Sequence, residues 1–305
     1  MSASLYAVGI GTTVLGGITQ QNLITGSMVR GEGRSGEVYS RIQSLVEQKI
    51  VPSFTTTSIA AALTACGALG ADIGALSGNL ALYAQNRVTG GTFSAGATHR
   101  KFVISDGVLF PIQLTCQHRG DATLSYGAVV AYDGSNDPIL ITDSVALAAY
   151  GSDQDERFTL GPVELGGITF DKLQALTIDF GIGAVGEGGD SDLWDTIASI
   201  RTIQPAITLS GIDPTWFAAA GVPLEGLAGT HANTAIYLRK RADGSTFVAD
   251  ETEEHILITA DGMACIDEAF NASGADSGTT SIRMPLKFDG TNAPLVIDTT
   301  AALPA

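Results

Sequence analysis

The sequence predicts a mainly β protein: two tandem copies of a β-sandwich or barrel domain, each with a flanking α-helix. Three observations predict it. Motifs recur in one order, 150 to 156 positions apart, along the 305-residue chain. Between them lie short apolar, Thr-rich runs bounded by Gly-Gly and Asp-Gly turn signals. The chain is 45% hydrophobic with 37 glycines and only 16% charged residues. That is below the roughly 25% charge of an average soluble domain, and it suits a folded chain whose surface is partly covered by other chains.

The repeat was sought first because it sets the domain plan. Leu15-Gly16-Gly17-Ile18-Thr19 returns as Leu165-Gly166-Gly167-Ile168-Thr169, and Leu23 as Leu173. Gly31-Glu32-Gly33 returns as Gly186-Glu187-Gly188, which this alignment explains by a loop five residues longer. Val38-Tyr39 and Ile42 match Leu193-Trp194 and Ile197; Pro52 matches Pro205, and Gly67 matches Gly221. Tyr83, Arg87, Gly90, Thr92 and Phe93 match Tyr237, Arg241, Gly244, Thr246 and Phe247. Asp106-Gly107 matches Asp261-Gly262, and Asp133-Gly134-Ser135-Asn136 matches Asp289-Gly290-Thr291-Asn292. Two domains follow, 1–150 and 151–305, each expected to own a core.

Within the first copy, residues 5–15 and 18–29 read as strands, and residues 31–36 as a loop. The spacing of Val38, Tyr39, Ile42, Leu45 and Val46 predicts a helix over 36–48, with residues 191–201 as its equivalent. A second helix is expected over 59–65, capped by Thr57 or Ser58 and closed by Gly67, with 215–220 as its counterpart behind Asp213 and Pro214. Residues 52–55, 80–86, 102–105, 108–115, 127–132 and 139–142 read as strands, as do 205–209, 234–240, 256–259, 281–288 and 294–297. The Asp-Gly steps predict hairpin turns between them.

Net charge is −16, and nearly all of it sits in the second copy: residues 1–150 hold 8 basic and 9 acidic side chains, residues 151–305 hold 8 and 23. This argues against wrapping DNA or docking on anionic lipid, which need clustered Lys and Arg. No 18-residue apolar run predicts a membrane span, and the start lacks the pattern of a secretory signal. The acidic run Asp250, Glu251, Glu253 and Glu254 has two readings, a solvated face or the wall of a passage for a polyanion. Three cysteines without a CxxC and four scattered histidines give no metal site, and no cofactor site is found. Residues 31–36 lack the Lys-Ser/Thr end of a phosphate-binding loop. Glu254-His255 and His99-Arg100 read as surface pairs, Trp194 and Trp216 as core, and Cys66 as a buried small residue. No catalytic constellation emerges, so no enzyme is expected.

With this layout the chain resembles the tail tube proteins of long-tailed bacteriophages. The resemblance rests on the opening Gly9-Ile10-Gly11-Thr12-Thr13, the helix expected at 36–48, the β-rich remainder and the low, negative charge. It implies a β-sandwich whose strands join those of neighbours into a continuous barrel, in stacked rings through which DNA and a tape measure protein pass. The duplicated version implies homotrimeric, pseudo-hexameric rings, other tail proteins as partners, no membrane, and a place in the virion tail after synthesis in the host cytoplasm. Arms reaching neighbours are expected in the loops at 26–36 and 181–192, with Arg30, Glu32, Arg34, Glu187, Asp190 and Asp192 as candidates. Asp250, Glu251, Glu253 and Glu254 are the candidates for charge lining the lumen. A capsid decoration protein, also acidic and β-rich, is the alternative.

Overall fold

A computed structural model describes residues 2–88, 93–151, 156–170, 172–212, 227–242, 246–272 and 278–304. The first half runs β1 (Ser2–Ile10), β2 (Thr13–Leu15), β3 (Ile18–Thr25), β4 (Met28–Glu32), β5 (Ile42–Glu47), β6 (Ile50–Thr56) and α1 (Ile59–Cys66). It continues with β7 (Ala71–Asp72), β8 (Leu80–Arg87), β9 (His99–Ile104), β10 (Gly107–Gln117), β11 (Thr123–Val130) and β12 (Ile139–Val145). The second half runs β13 (Arg157–Leu165), β14 (Ile168–Thr169), β15 (Leu173–Asp179), β16 (Ile182–Glu187) and β17 (Ile197–Ile203). It ends with β18 (Ala206–Gly211), β19 (Leu227–Arg241), β20 (His255–Asn271), β21 (Thr279–Pro285) and β22 (Leu295–Ala301). The protein is mainly β and sandwich-like, with one helix among the described residues.

Strand alternation builds the layers. In β6, Pro52, Phe54 and Thr56 are buried while Val51, Ser53 and Thr55 face outward, so one face of its sheet packs inward. Phe54 stacks on Tyr126 of β11 at 5.0 Å. The opposing layer is the five-stranded sheet β12-β9-β8-β1-β2, whose Val8, Ile10, Leu80, Leu82 and Ile104 are buried. Helix α1 closes this sandwich with Ile59, Ala62, Leu63 and Cys66. Its alanines favour a helix, and Gly67, at φ 75°, ends it by donating its N–H to the Leu63 carbonyl. Ser58 stands at the N-cap position, but its hydroxyl accepts from Gly17 N–H at 3.2 Å instead of capping the helix. The helix expected at 215–220 lies outside the described residues.

The pairing scheme of the first half recurs in the second. Ser2↔Arg87, Leu5↔Ala84 and Val8↔Leu82 become Arg157↔Arg241, Leu160↔Leu238 and Val163↔Ile236, with a bulge in the same place. Tyr126↔Phe54 becomes Leu209↔Ile282, and Ile139↔Ile104 becomes Ala260↔Leu295. The turn at Asp133 repeats at Asp289 down to its hydrogen bonds: each carboxylate accepts two backbone N–H groups and the side-chain amide of Asn136 or Asn292. The halves are not separate cores, however. Strand β10 pairs with β15 across the junction, from Gln113↔Asp179 to Gln117↔Ala175. One 13-stranded sheet and one contiguous buried cluster thereby span both halves.

The structure corrects several expectations. Residues 36–48 and 191–201 form no helix. They contribute β5 and β17, which fold back on β4 and β16 as two hairpin arms, Glu32↔Ile42 and Glu187↔Ile197. Their helical spacing misled because these apolar side chains do not share one core face; Val38, Tyr39 and Ile42 are exposed. The Leu-Gly-Gly-Ile-Thr match also places the halves five residues out of step. Leu165-Gly166-Gly167-Ile168 is the β13–β14 turn, the place held by Ile10-Gly11-Thr12-Thr13 between β1 and β2. Leu173 opposes Gly211 as Ile18 opposes Thr56, so no five-residue insertion is needed and Pro205 does not stand where Pro52 does.

Nor are the Asp-Gly steps hairpins. Strand β9 does not pair with β10, nor β11 with β12; Asp106-Gly107 and Asp133-Gly134 are corners where the chain changes layer. In the second half the same corner is absorbed into the long strand β20. Gly107 has φ 129°, and a Cβ there would lie 2.2 Å from the Val129 carbonyl oxygen. Gly107→Ala is therefore expected to cost roughly 2–3 kcal/mol, measured by denaturant unfolding; a loss below about 0.5 kcal/mol would show that the corner relaxes freely.

Candidate assembly surfaces

The junction between the halves shows how two of these units meet. Along it, Phe180 N–H donates to the Ile112 carbonyl at 3.0 Å and His118 N–H to that of Gln174 at 2.6 Å. The turn after β10 lies against β13: Ala122 N–H donates to the Phe158 carbonyl, and the Thr159 hydroxyl to that of Gly120. Asp121 lies 3.8 Å from both Arg157 and Arg241. The β16–β17 arm crosses onto the first half. Gln48 N–H donates to the Leu193 carbonyl at 2.7 Å and Tyr132 N–H to that of Asp195 at 2.8 Å.

Among the described residues, two edges of the joined sheet are open. Strand β3 pairs with β6 alone. Beyond Cys265, the pairs of β20 are all with β21. These edges correspond to the two that meet at the junction: β3 stands where β15 does, and the end of β20 where β10 does. Beside β3, a cavity of about 220 Å³ is lined by Ala3, Ser4, Leu5, Gln21, Leu23 and Phe102, among others. In the second half β13, the counterpart of β1, is where Ala122 docks. The buried Gln21 Oε1 has no hydrogen-bond partner.

The outward face of this sheet carries hydroxyl and amide side chains. Thr123, Thr115, Thr177 and Thr208 lie in register across four strands and the junction, with Arg283 beyond. Thr115 and Thr123 share a hydrogen bond of 2.9 Å, and Thr55 and Ser125 one of 3.0 Å. Gln20, Asn22 and Ser53 continue this face.

The candidate arm residues fall on the two hairpins rather than in open loops. Arg30 pairs with Glu32 at 2.9 Å on β4, and Arg34 N–H donates to Glu37. Glu187 pairs with Arg201 across β16 and β17 at 2.6 Å, while Asp190 and Asp192 shape the turn, Asp192 accepting from Gly189 N–H. These are internal contacts at exposed positions, so their charges hold the arms' own shape. Sequence reasoning missed the apolar residues beside them; their signal was the same spacing that suggested a helix.

Asp250, Glu251, Glu253 and Glu254 lie in the connection between β19 and β20, not in the hydroxyl-bearing strands. Asp250 pairs with Arg239, and Lys240 bridges Glu254 at 3.0 Å and Glu156 at 2.9 Å. The first half has five uncharged residues there, Ser94 to Thr98, so the charge asymmetry is partly a difference between two equivalent loops. For Lys240, burial is the largest single influence and pushes the ammonium down, but the bonds and charges of Glu156 and Glu254 together hold it above its ordinary value. A raised value stabilises the fold below the unfolded pKa of 10.5, and that contribution is lost as pH rises through the folded value. Melting curves from pH 8 to about 12 should show the wild type losing stability relative to Lys240→Met only above about 10.5. A constant difference across that range would remove the ion-pair account.

The histidines of the two expected surface pairs are interior instead. His99 and His255 are buried, and their Nδ1 atoms accept the N–H groups of Asn86 and Lys240, both at 3.0 Å. Trp194 is half-buried at the arm's turn rather than core, and Trp216 lies outside the described residues. Cys66 is buried as expected; burial pushes its thiol and that of Cys116 up to about 12, which leaves both unreactive. Among the described residues no group of three or more His, Cys, Asp or Glu is placed to hold a metal ion, and no helix is long and apolar enough to cross a membrane.

No family model and no curated protein matches the chain.

Proposed function

We propose that the chain is a virion structural protein that builds a phage tail tube from stacked trimeric rings, using two tandem sandwich-like units, 1–150 and 151–305. The observation that carries this reading is the β10–β15 junction. Two equivalent units join there edge to edge, and among the described residues the same two kinds of edge stand open elsewhere in the sheet. A head-to-tail contact of this kind either closes into a ring or runs on as a filament. An exposed edge with no other cover is a template for pairing, and closure removes it.

In a closed ring the sandwich layer lies outside, so the hydroxyl face lines the lumen. That moves the lining away from Asp250, Glu251, Glu253 and Glu254. A wall of Thr, Ser, Gln and Asn, with Arg283 the cation in register with its threonine row, offers DNA few phosphate contacts that would hold a passing strand. The tape measure protein and other tail proteins are the expected further partners.

Negative-stain microscopy of the purified chain, with mass measurement, tests this. Rings containing three chains, stacking into hollow rods, are expected. Globules that remain monomeric at high concentration would overturn the proposal, as would assembly only on a supplied capsid, the behaviour of a decoration protein.

A further inference from the structure

The two hairpin arms have the same pairing, yet one is covered and the other bare. The β16–β17 arm lies on β10 and β11 of the first half, where its turn meets Gln48 and Tyr132. There Leu193 is 42% exposed and Trp194 is half-buried. The β4–β5 arm is exposed on both faces. Val38 and Tyr39, standing where Leu193 and Trp194 do, are 92% and 83% exposed. Met28, Val29, Ile42, Leu45 and Val46 on the same arm are exposed as well. So many exposed apolar side chains on one arm mark an interaction site.

The matching landing surface is also bare. Phe288 stands where Tyr132 does and is 59% exposed; Ile203 stands where Gln48 does and is 40% exposed. Both lie at the end of the second half that the first-half arm of the same chain does not cover. We infer that the β4–β5 arm docks on the second half of another copy of this chain, setting Val38 beside Ile203 and Ser40 beside Phe288. The contact repeats between chains what the β16–β17 arm does within one. It rests on the ring reading, because only edge pairing between β20 and β3 of the next chain brings the arm over this surface.

The test is the double variant V38C/I203C of the full chain, with each single variant as control, under mild oxidation and viewed on a non-reducing gel beside microscopy of the same samples. The expected result is a covalent ladder that stops at three chains for the double variant and stays at background for the single ones. Rings without this ladder would overturn the arm docking and leave the ring reading standing. A ladder running well past three chains would also overturn it, placing the arm on an adjacent ring. A chain that forms no oligomer at all fails the ring reading itself.

Discussion

Gln21→Pro is expected to weaken assembly strongly while leaving the single chain folded. Strand β3 is an edge whose N–H groups alternate between β6 and open space. Gly26 N–H donates to the Lys49 carbonyl, which sets the alternation: Asn22 and Ile24 point at β6, Gln21 and Leu23 away from it. At the junction, Leu176 and Ile178 hold the positions of Gln21 and Leu23 and face β10. Proline at 21 removes one outward donor and sets a ring against the incoming strand, a position where edge strands tolerate it. The concentration needed for half-assembly should rise at least about tenfold, equivalent to about 1.4 kcal/mol. Mass measurement over a dilution series reads this, and circular dichroism checks that the fold is kept. A folded variant that assembles like the wild type would remove β3 from the interface.

His255→Ala is expected to destabilise the fold by roughly 3–5 kcal/mol. The ring is wholly buried. Because Nδ1 accepts from Lys240 N–H, the proton sits on Nε2, which donates to the Ala249 carbonyl at 3.1 Å. Truncation leaves one backbone donor and one acceptor without partners and opens a cavity. His99→Ala removes the same bond to Asn86 N–H in the first half and should be costly in turn. Equilibrium unfolding in urea measures both. A cost below about 1 kcal/mol at His255 would mean that water takes over both bonds.

The β content and most strands were legible, because alternation in stretches such as β6 and β11 reports a sheet with one buried face. Helix α1 was legible from its alanines and Gly67. The arms were not. Val38, Tyr39, Ile42 and Leu45 are spaced for a helix, but what an apolar residue packs against is not written in its spacing, and here nothing among the described residues covers them. The five-residue slip has a similar origin. Leu-Gly-Gly-Ile-Thr serves a hairpin turn at 165 and a crossing from β2 to β3 at 15, since two glycines suit either. His99 and His255 read as surface residues from their charged neighbours, because in a strand adjacent residues face opposite sides. No sequence pattern announced the β10–β15 seam, which joins segments about 60 residues apart.

That seam sits inside one polypeptide, so mass action does not touch it. In the proposed ring, dilution parts molecules where β3 and β20 end, and each chain that comes away keeps the whole thirteen-stranded sheet, five strands from the first half and eight from the second, as a single block. In that ring, three of the five losses of translational freedom that six separate units would suffer on assembling are already made when the ribosome releases the chain.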